Sequence, residues 1–269
     1  MEPVSSTGAA KRATMPDPMG APSSFRLVST FVLLTIIWGT TWSVIRVGLD
    51  GIPPFSGVAL RFLIAGAVLL VIAWRAGIPL GRKRYEKRLW VINGLLSFAV
   101  SYGIVYWAEQ WVPSGLASVL FATFPLFVAI IGHFVLPGER LGTLTTLGAM
   151  IGFAGVAVIF SEDFSLLGGP QAFLAAGVML LSPLAASAAS IAVKKWGAGI
   201  HPLSVTAIPM LITAVVMGAI AFVLERDMSF TLDARSVGAL LYLSIFGSAV
   251  TFSGYFWLLS HVPATRAAL

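Results

Sequence analysis

The sequence predicts an all-α polytopic membrane protein built as two inverted five-helix repeats, a ten-helix plan of which eight complete spans and the start of a ninth fall within the 269 residues. Three observations lead there: the composition, apolar runs of one recurring length, and an internal match that leaves an odd number of spans per copy. Hydrophobic residues make up 58% of the chain and charged residues only 10%, whereas soluble domains carry about 25% charged residues. So few charges cannot cover a water-facing surface, and lipid has to replace water around most of the molecule. The net charge of +6 would suggest nucleic acid in a soluble protein; here the positions of the charges decide otherwise. Cysteine is absent, which excludes disulfides and thiolate metal sites.

Along the chain, residues 1–26 hold Pro, Ser and Gly without apolar periodicity and read as a disordered cytoplasmic tail ending on the basic anchor Arg26. The run from Leu27 to about Val47 is too long for a signal-peptide core and lacks a small-residue cleavage site, so it stays in the membrane. Apolar runs of roughly 20 residues, each enough to cross about 30 Å of hydrocarbon, recur at 27–47, 55–74, 90–109, 114–136, 142–160, 172–193, 203–224 and 237–260. Pro, Gly and charge separate them, as in Asp50-Gly-Ile-Pro-Pro54, Arg82-Lys-Arg84, Pro113-Ser-Gly115, Glu162-Asp163 and Glu225-Arg-Asp227. Runs this long and apolar satisfy their backbone in lipid only as helices.

With the N-terminus cytoplasmic, thirteen of the 17 basic residues fall on inner segments, among them Arg75, Arg82, Lys83, Arg84, Lys87, Arg88, Lys194 and Lys195. Only Arg46, Arg226 and Arg235 fall outside, and Arg61 lies within a span. That asymmetry sets the orientation and accounts for the positive charge without nucleic acid.

A shift of 148 lays Gly51–Ile64 on Gly199–Ile212 with seven of 14 positions identical. A shift of 150 lays Ala99-Val-Ser101, Trp107 and Val112-Pro113 on Ala249-Val-Thr251, Trp257 and Val262-Pro263. Two matches in the same order at nearly one offset indicate duplication. The first copy, 27–160, holds five spans, so the second copy, 172–269, enters the membrane from the opposite side. Such inverted repeats place a binding site at their interface near mid-membrane. In this register Leu269 corresponds to Val119, so the second copy is expected to comprise three spans and the start of a fourth, a C-terminally truncated repeat.

Several motifs then resemble the EamA-type transporters of the drug/metabolite transporter superfamily. They are Trp38-Gly39, the stretch Pro53-Pro54 to Ala59-Leu-Arg61-Phe-Leu-Ile-Ala65, Val112-Pro-Ser-Gly-Leu-Ala-Ser118 with Phe124-Pro125, Gly138-Glu139-Arg-Leu141, and Val262-Pro-Ala-Thr-Arg-Ala-Ala268. The resemblance implies an inner-membrane carrier with cytoplasmic termini and two five-helix halves around a central cavity. It also implies efflux of small metabolites, amino acids foremost, by alternating access, without a cofactor. Gly138 and Glu139 would be structural parts of that pattern, and Arg61 its span-two arginine.

The residues themselves nominate a cavity. Arg61 lies about 10 Å below the outer end of its span, where a cation needs water, a partner or an anionic ligand; snorkelling to the headgroups is the alternative. Trp38, Trp42 and Arg46 follow one another at i, i+4 and i+8 and share a helix face. The two indoles could offer a substrate apolar and cation–π contact or simply pack, while Arg46 reads as an outer anchor. Tyr102, Tyr106 and Glu109 form a second stripe that ends in a carboxylate, a candidate for proton coupling or else a solvated loop charge. Trp107 and its counterpart Trp257 complete the cavity candidates. Pro125, Pro183 and Pro209 fall inside spans and predict kinks or hinges. Glu139 is expected to complement the positive end of the fifth span.

His133, His201 and His261 lack metal-ligand spacing, and neither a phosphate-cradling loop nor a nucleophile motif occurs. The expected function is therefore transport of a small-molecule metabolite rather than catalysis. The alternatives are an inactive or partner-completed membrane protein, and a multidrug exporter.

Overall fold

The computed structural model describes residues 22–81, 83–139, 142–161 and 169–269. The expected tail up to residue 21, Arg140-Leu141 and Glu162-Asp163 lie outside the described residues. All secondary structure among the described residues is helical. Seven helices are long and apolar enough to cross a membrane: α1 (Ser24–Leu49), α2 (Pro54–Arg75), α3 (Arg84–Ala108), α4 (Ser114–Val135), α6 (Gly169–Trp196), α7 (Ser204–Leu224) and α8 (Ala234–His261). Between α4 and α6, α5 (Thr143–Ser161) occupies the place of the expected fifth span; its apolar stretch, Thr146–Val158, is shorter than the other seven. A short α9 (Ala264–Ala267) follows α8.

Local chemistry sets the boundaries. Ser23 caps α1 by accepting a hydrogen bond from the Arg26 amide, which satisfies one of the orphan donors of a helix start. Pro54 opens α2, where its missing N–H removes nothing from the ladder. Asp233 caps α8 through the Ser236 amide at 2.8 Å, and that bond holds its carboxyl below the ordinary aspartate range. Large apolar side chains such as Ile36, Trp74, Phe134, Ile151, Val215 and Phe222 point outward. In lipid such a surface involves no exposure to water.

α2 and α7 form the packed spine. A Cβ on Gly66 of α2 would meet the Leu211 side chain at 2.8 Å and the Ala207 carbonyl at 3.1 Å, and Gly218 of α7 faces Ala59 of α2 at 3.9 Å. Each helix thus supplies a glycine where the other approaches, the small-residue packing that lipid-embedded helices use.

Carboxylates in the connecting segments tie these two helices to their neighbours. Beyond α7, the Glu225 carboxylate accepts from the amides of Phe55 and Ser56, at 2.7 and 2.8 Å, and from Ser56 Oγ at 2.6 Å, which satisfies the start of α2. At the start of α3, the Glu86 carboxylate accepts from Ser204 Oγ at the start of α7. A third carboxylate, Glu139, accepts from the amides of Ala264 at 2.8 Å and Thr265 at 3.3 Å. Glu139 thus places a negative charge on the positive start of α9; Arg140 and Leu141, which lead from it into α5, lie outside the described residues.

α3 and α8 share an irregularity. Each contains a wide π-helical stretch, Asn93–Val100 in α3 and Ile245–Val250 in α8, at positions that the 150-residue register superposes. π-helical turns leave main-chain carbonyls offset and cluster at functional sites. The three prolines have distinct consequences. α4 breaks at Ala122–Thr123 before Pro125, α6 breaks at Leu180 before Pro183, and α7 runs through Pro209 without interruption. Pro209 has no N–H for the Val205 carbonyl four residues earlier, and Asn93 of α3 supplies the missing donor, Nδ2 to Val205 O, at 2.6 Å.

Candidate functional site

α1, α3, α4, α6 and α8, together with Ala267, Ala268 and Leu269 at the end of α9, line a cavity of about 450 Å³. The i, i+4 spacing on α1 puts Trp38 and Trp42 on its wall, and Tyr102 of α3 lies opposite. The break in α4 turns Phe121 and Phe124 toward the same space, and α8 contributes Phe252 and Tyr255. These rings form a continuous belt, running Trp42–Phe121–Phe124–Tyr255–Trp38–Phe252–Tyr102 with centroid separations of 5.3, 5.9, 6.4, 5.6, 5.5 and 5.9 Å. Aromatic pairs at such separations add edge-to-face and offset contacts to simple burial.

Between the rings stand hydroxyls: Thr35 and Thr41 on α1, Ser97 and Ser101 on α3, Ser118 on α4 and Ser190 on α6. Ser101 Oγ lies 2.8 Å from Ser182 Oγ, and Tyr255 donates to Ser190 Oγ at 3.0 Å. The indole Nε1 of Trp38 is buried without a hydrogen-bond partner among the described residues. The site is concave, mostly apolar and dotted with a few polar groups, the usual make-up of a small-molecule site.

Arg61 sits behind this wall. It is fully buried; Nε donates to Ser248 Oγ at 2.7 Å, Nη2 to the Gly247 carbonyl at 2.8 Å and Nη1 to Tyr106 Oη at 3.3 Å. Both α8 acceptors belong to the π-helical stretch. The guanidinium carbon also lies 4.6 Å from the Tyr102 ring centroid, a cation–π contact. A Cβ on Gly247 would approach Arg61 Nη2 to 3.2 Å and Thr41 to 3.0 Å, so glycine leaves room for both.

The structure thus brings Trp38, Trp42 and Tyr102 together on the cavity and places Arg61 and Tyr106 directly behind Tyr102. Trp107 packs on Trp111 at 5.0 Å and Trp257 on His261 at 4.7 Å, and neither lines the cavity. Glu109, one residue past α3, is fully buried. One carboxylate oxygen accepts from Ser114 Oγ at 3.4 Å, and the other has no partner among the described residues. Arg46 donates to the main-chain carbonyls of Glu109 and Gln110, which ties α1 to the end of α3. Pro125 also lines the cavity, whereas Pro183 and Pro209 lie away from it. Among the described residues no group of three His, Asp or Glu side chains could hold a metal ion.

Phe121, Phe124, Phe252, Tyr255 and Ser190 were not nominated from the sequence. The repeat register carried a signal for one of them, since Phe252 is the counterpart of Tyr102. The others become visible only through the helix breaks that aim them.

Membrane-length helices around an aromatic cavity define a multi-pass membrane protein able to admit a small molecule. The chain belongs to the EamA-like transporter family, whose sequence profile matches residues 26–161 and 173–269. It is 32% identical over 245 residues to the Uncharacterized inner membrane transporter YedA of Escherichia coli K12, covering 90% of this chain and 76% of that protein. It is 28% identical over 238 residues to the Uncharacterized transporter YoaV of Bacillus subtilis, covering 88% and 81% respectively. A crystal structure 22% identical in sequence shares the fold with a TM-score of 0.70, over 92% of this chain and 84% of the other.

Proposed function

We propose that the protein is a secondary carrier of the inner membrane, not an enzyme, which exports amino acids or metabolites of that size by alternating access. Its two halves would be inverted five-span repeats, 27–160 and 172–269, with eight spans of a ten-helix plan present and the N-terminus cytoplasmic. The cavity carries this reading: it lies between helices of the first stretch, α1, α3 and α4, and helices of the second, α6 and α8, as a site between inverted repeats should. The contacts of Glu225 with Ser56 Oγ and of Glu86 with Ser204 Oγ, the counterpart of Ser56, together with the superposable π-helical stretches, support the inversion.

In this reading Trp38, Trp42 and Tyr102 contact the solute. Arg61 and Tyr106 brace the wall, Trp107 and Trp257 pack the outer and inner helix ends, and the breaks before Pro125 and Pro183 permit rocking. Glu109 serves as the proton-coupling group, since a buried carboxylate with one free oxygen is poised to exchange a proton. Reconstituted protein should catalyse exchange of a labelled metabolite across vesicles and, separately, uphill movement driven by a pH gradient. Trp38→Ala should lower both at least about tenfold, and Glu109→Gln should abolish the driven flux while sparing exchange. Exchange unaffected by Trp38→Ala would remove the cavity from the transport path, and driven flux surviving Glu109→Gln would remove the coupling role.

A further inference from the structure

The repeat register pairs two cations that make the same contact. A shift of 148 lays Arg46 of α1 on Lys194 of α6, and a shift of 150 lays Glu109, Gln110 and Val112, just beyond α3, on Leu259, Ser260 and Val262 at the end of α8. Arg46 donates to the carbonyls of Glu109 and Gln110. Lys194 donates to those of Leu259 and Val262, each at 2.7 Å. In both stretches the end of the first helix is thus fastened to the carbonyl end of the third.

Either contact alone is a helix cap, a cation on orphan carbonyls at the negative end of a helix. Their position relative to the cavity says more. Trp42 and Val105 line the cavity, and Arg46 and Glu109 follow them by one turn; Ser190 and Tyr255 line it, and Lys194 and Leu259 follow them by one turn. Each tie therefore joins two cavity-lining helices one turn beyond the wall. A carboxylate stands at each end as well: Glu109 accepts from Ser114 at the start of α4, and Glu139 accepts from Ala264, the counterpart of Ser114, at the start of α9. In the proposed topology the two stretches cross the membrane in opposite directions, so Arg46 stands at the outer end and Lys194 at the cytoplasmic end.

We propose that Arg46 and Lys194 are paired gate latches. Arg46 holds α1 to α3 across the outer mouth, Lys194 holds α6 to α8 across the cytoplasmic mouth, and one releases while the other stays fastened. This rests on the alternating-access reading and assigns residues to its two gates. A movement that parts α1 from α3 at one end has its inverted copy in α6 and α8 at the other.

The chain has no cysteine, so Ala122→Cys, on the cavity wall, supplies a single reporter. Its labelling by a membrane-impermeant maleimide is measured in right-side-out and inside-out vesicles. Arg46→Met should raise labelling from outside relative to inside about tenfold, and Lys194→Met should move the ratio about tenfold the other way. Arg46→Lys and Lys194→Arg keep a cationic donor, as each stretch already does with the other's cation, and should leave the ratio near that of the parent. A cap that only stabilises helix ends would lower the melting temperature of the Met variants without moving the ratio. With the reporter labelled from both sides, an unmoved ratio, or a shift toward the same side in both Met variants, overturns the latches and leaves alternating access standing. Labelling from one side alone in the parent and in every variant overturns alternating access together with the latches. Should one Met variant not fold, the direction of the shift in the other decides.

Discussion

At the residue scale, Arg61 shows how a buried cation is accommodated within the protein. A guanidinium inside a span needs neutralising contacts, and here they come from Ser248, Gly247 and Tyr106 together with the Tyr102 ring. Arg61→Ala would leave the Gly247 carbonyl and Ser248 without their donor, each worth about 1–3 kcal/mol when stranded in the interior. The variant should unfold at a measurably lower temperature in detergent, and Arg61→Lys should recover only part of the loss because an ammonium lacks the planar fork. A melting temperature unchanged by Arg61→Ala would show that the three bonds carry no net stability. The sequence located this charge inside a span. Its partners stand up to 187 residues away on another helix, beyond the reach of any local pattern.

At the element scale, the irregularities of the helices are coupled in pairs. Pro209 orphans the Val205 carbonyl, and Asn93 on α3 answers it. Asn93→Leu should therefore destabilise by about 1–3 kcal/mol, the cost of an unsatisfied buried acceptor. Pro209→Ala restores an intrahelical donor, so in the double variant the cost of losing Asn93 should shrink. A double-mutant cycle from thermal or denaturant unfolding measures this, and strict additivity would refute the compensation. The positions of Pro125 and Pro183 were legible as irregularities, and both follow actual breaks at Ala122–Thr123 and Leu180. Pro209 is tolerated without a break because a neighbouring helix supplies the donor, a fact of packing and not of propensity.

At the scale of the whole molecule, charge and packing together define how the chain lies in the bilayer. Basic residues gather at Arg75–Arg88 and Lys194–Lys195, whereas the α7–α8 connection carries Glu225, Asp227 and Asp233 beside Arg226 and Arg235. Reporter fusions after Arg84 and after Asp227 should report opposite sides, cytoplasmic for the first and external for the second, as the Lys/Arg bias requires. Fusions reporting the same side would overturn the proposed inversion. Lys194 adds a structural tie at its edge, donating to the carbonyls of Leu259 and Val262 at 2.7 Å each and so satisfying the end of α8.

The sequence by itself determined that this protein is helical and crosses the membrane several times, because apolar runs of that length have no other way to satisfy their backbone in lipid. It also placed Trp38 and Trp42 on one helix face, since the 3.6-residue period admits no other arrangement. Only the tertiary structure decided which aromatic residues surround the cavity and that the Arg61 cation lies behind the wall. Those outcomes depend on helix breaks and on contacts between segments more than a hundred residues apart, where the energy of a side chain is set by what packs against it.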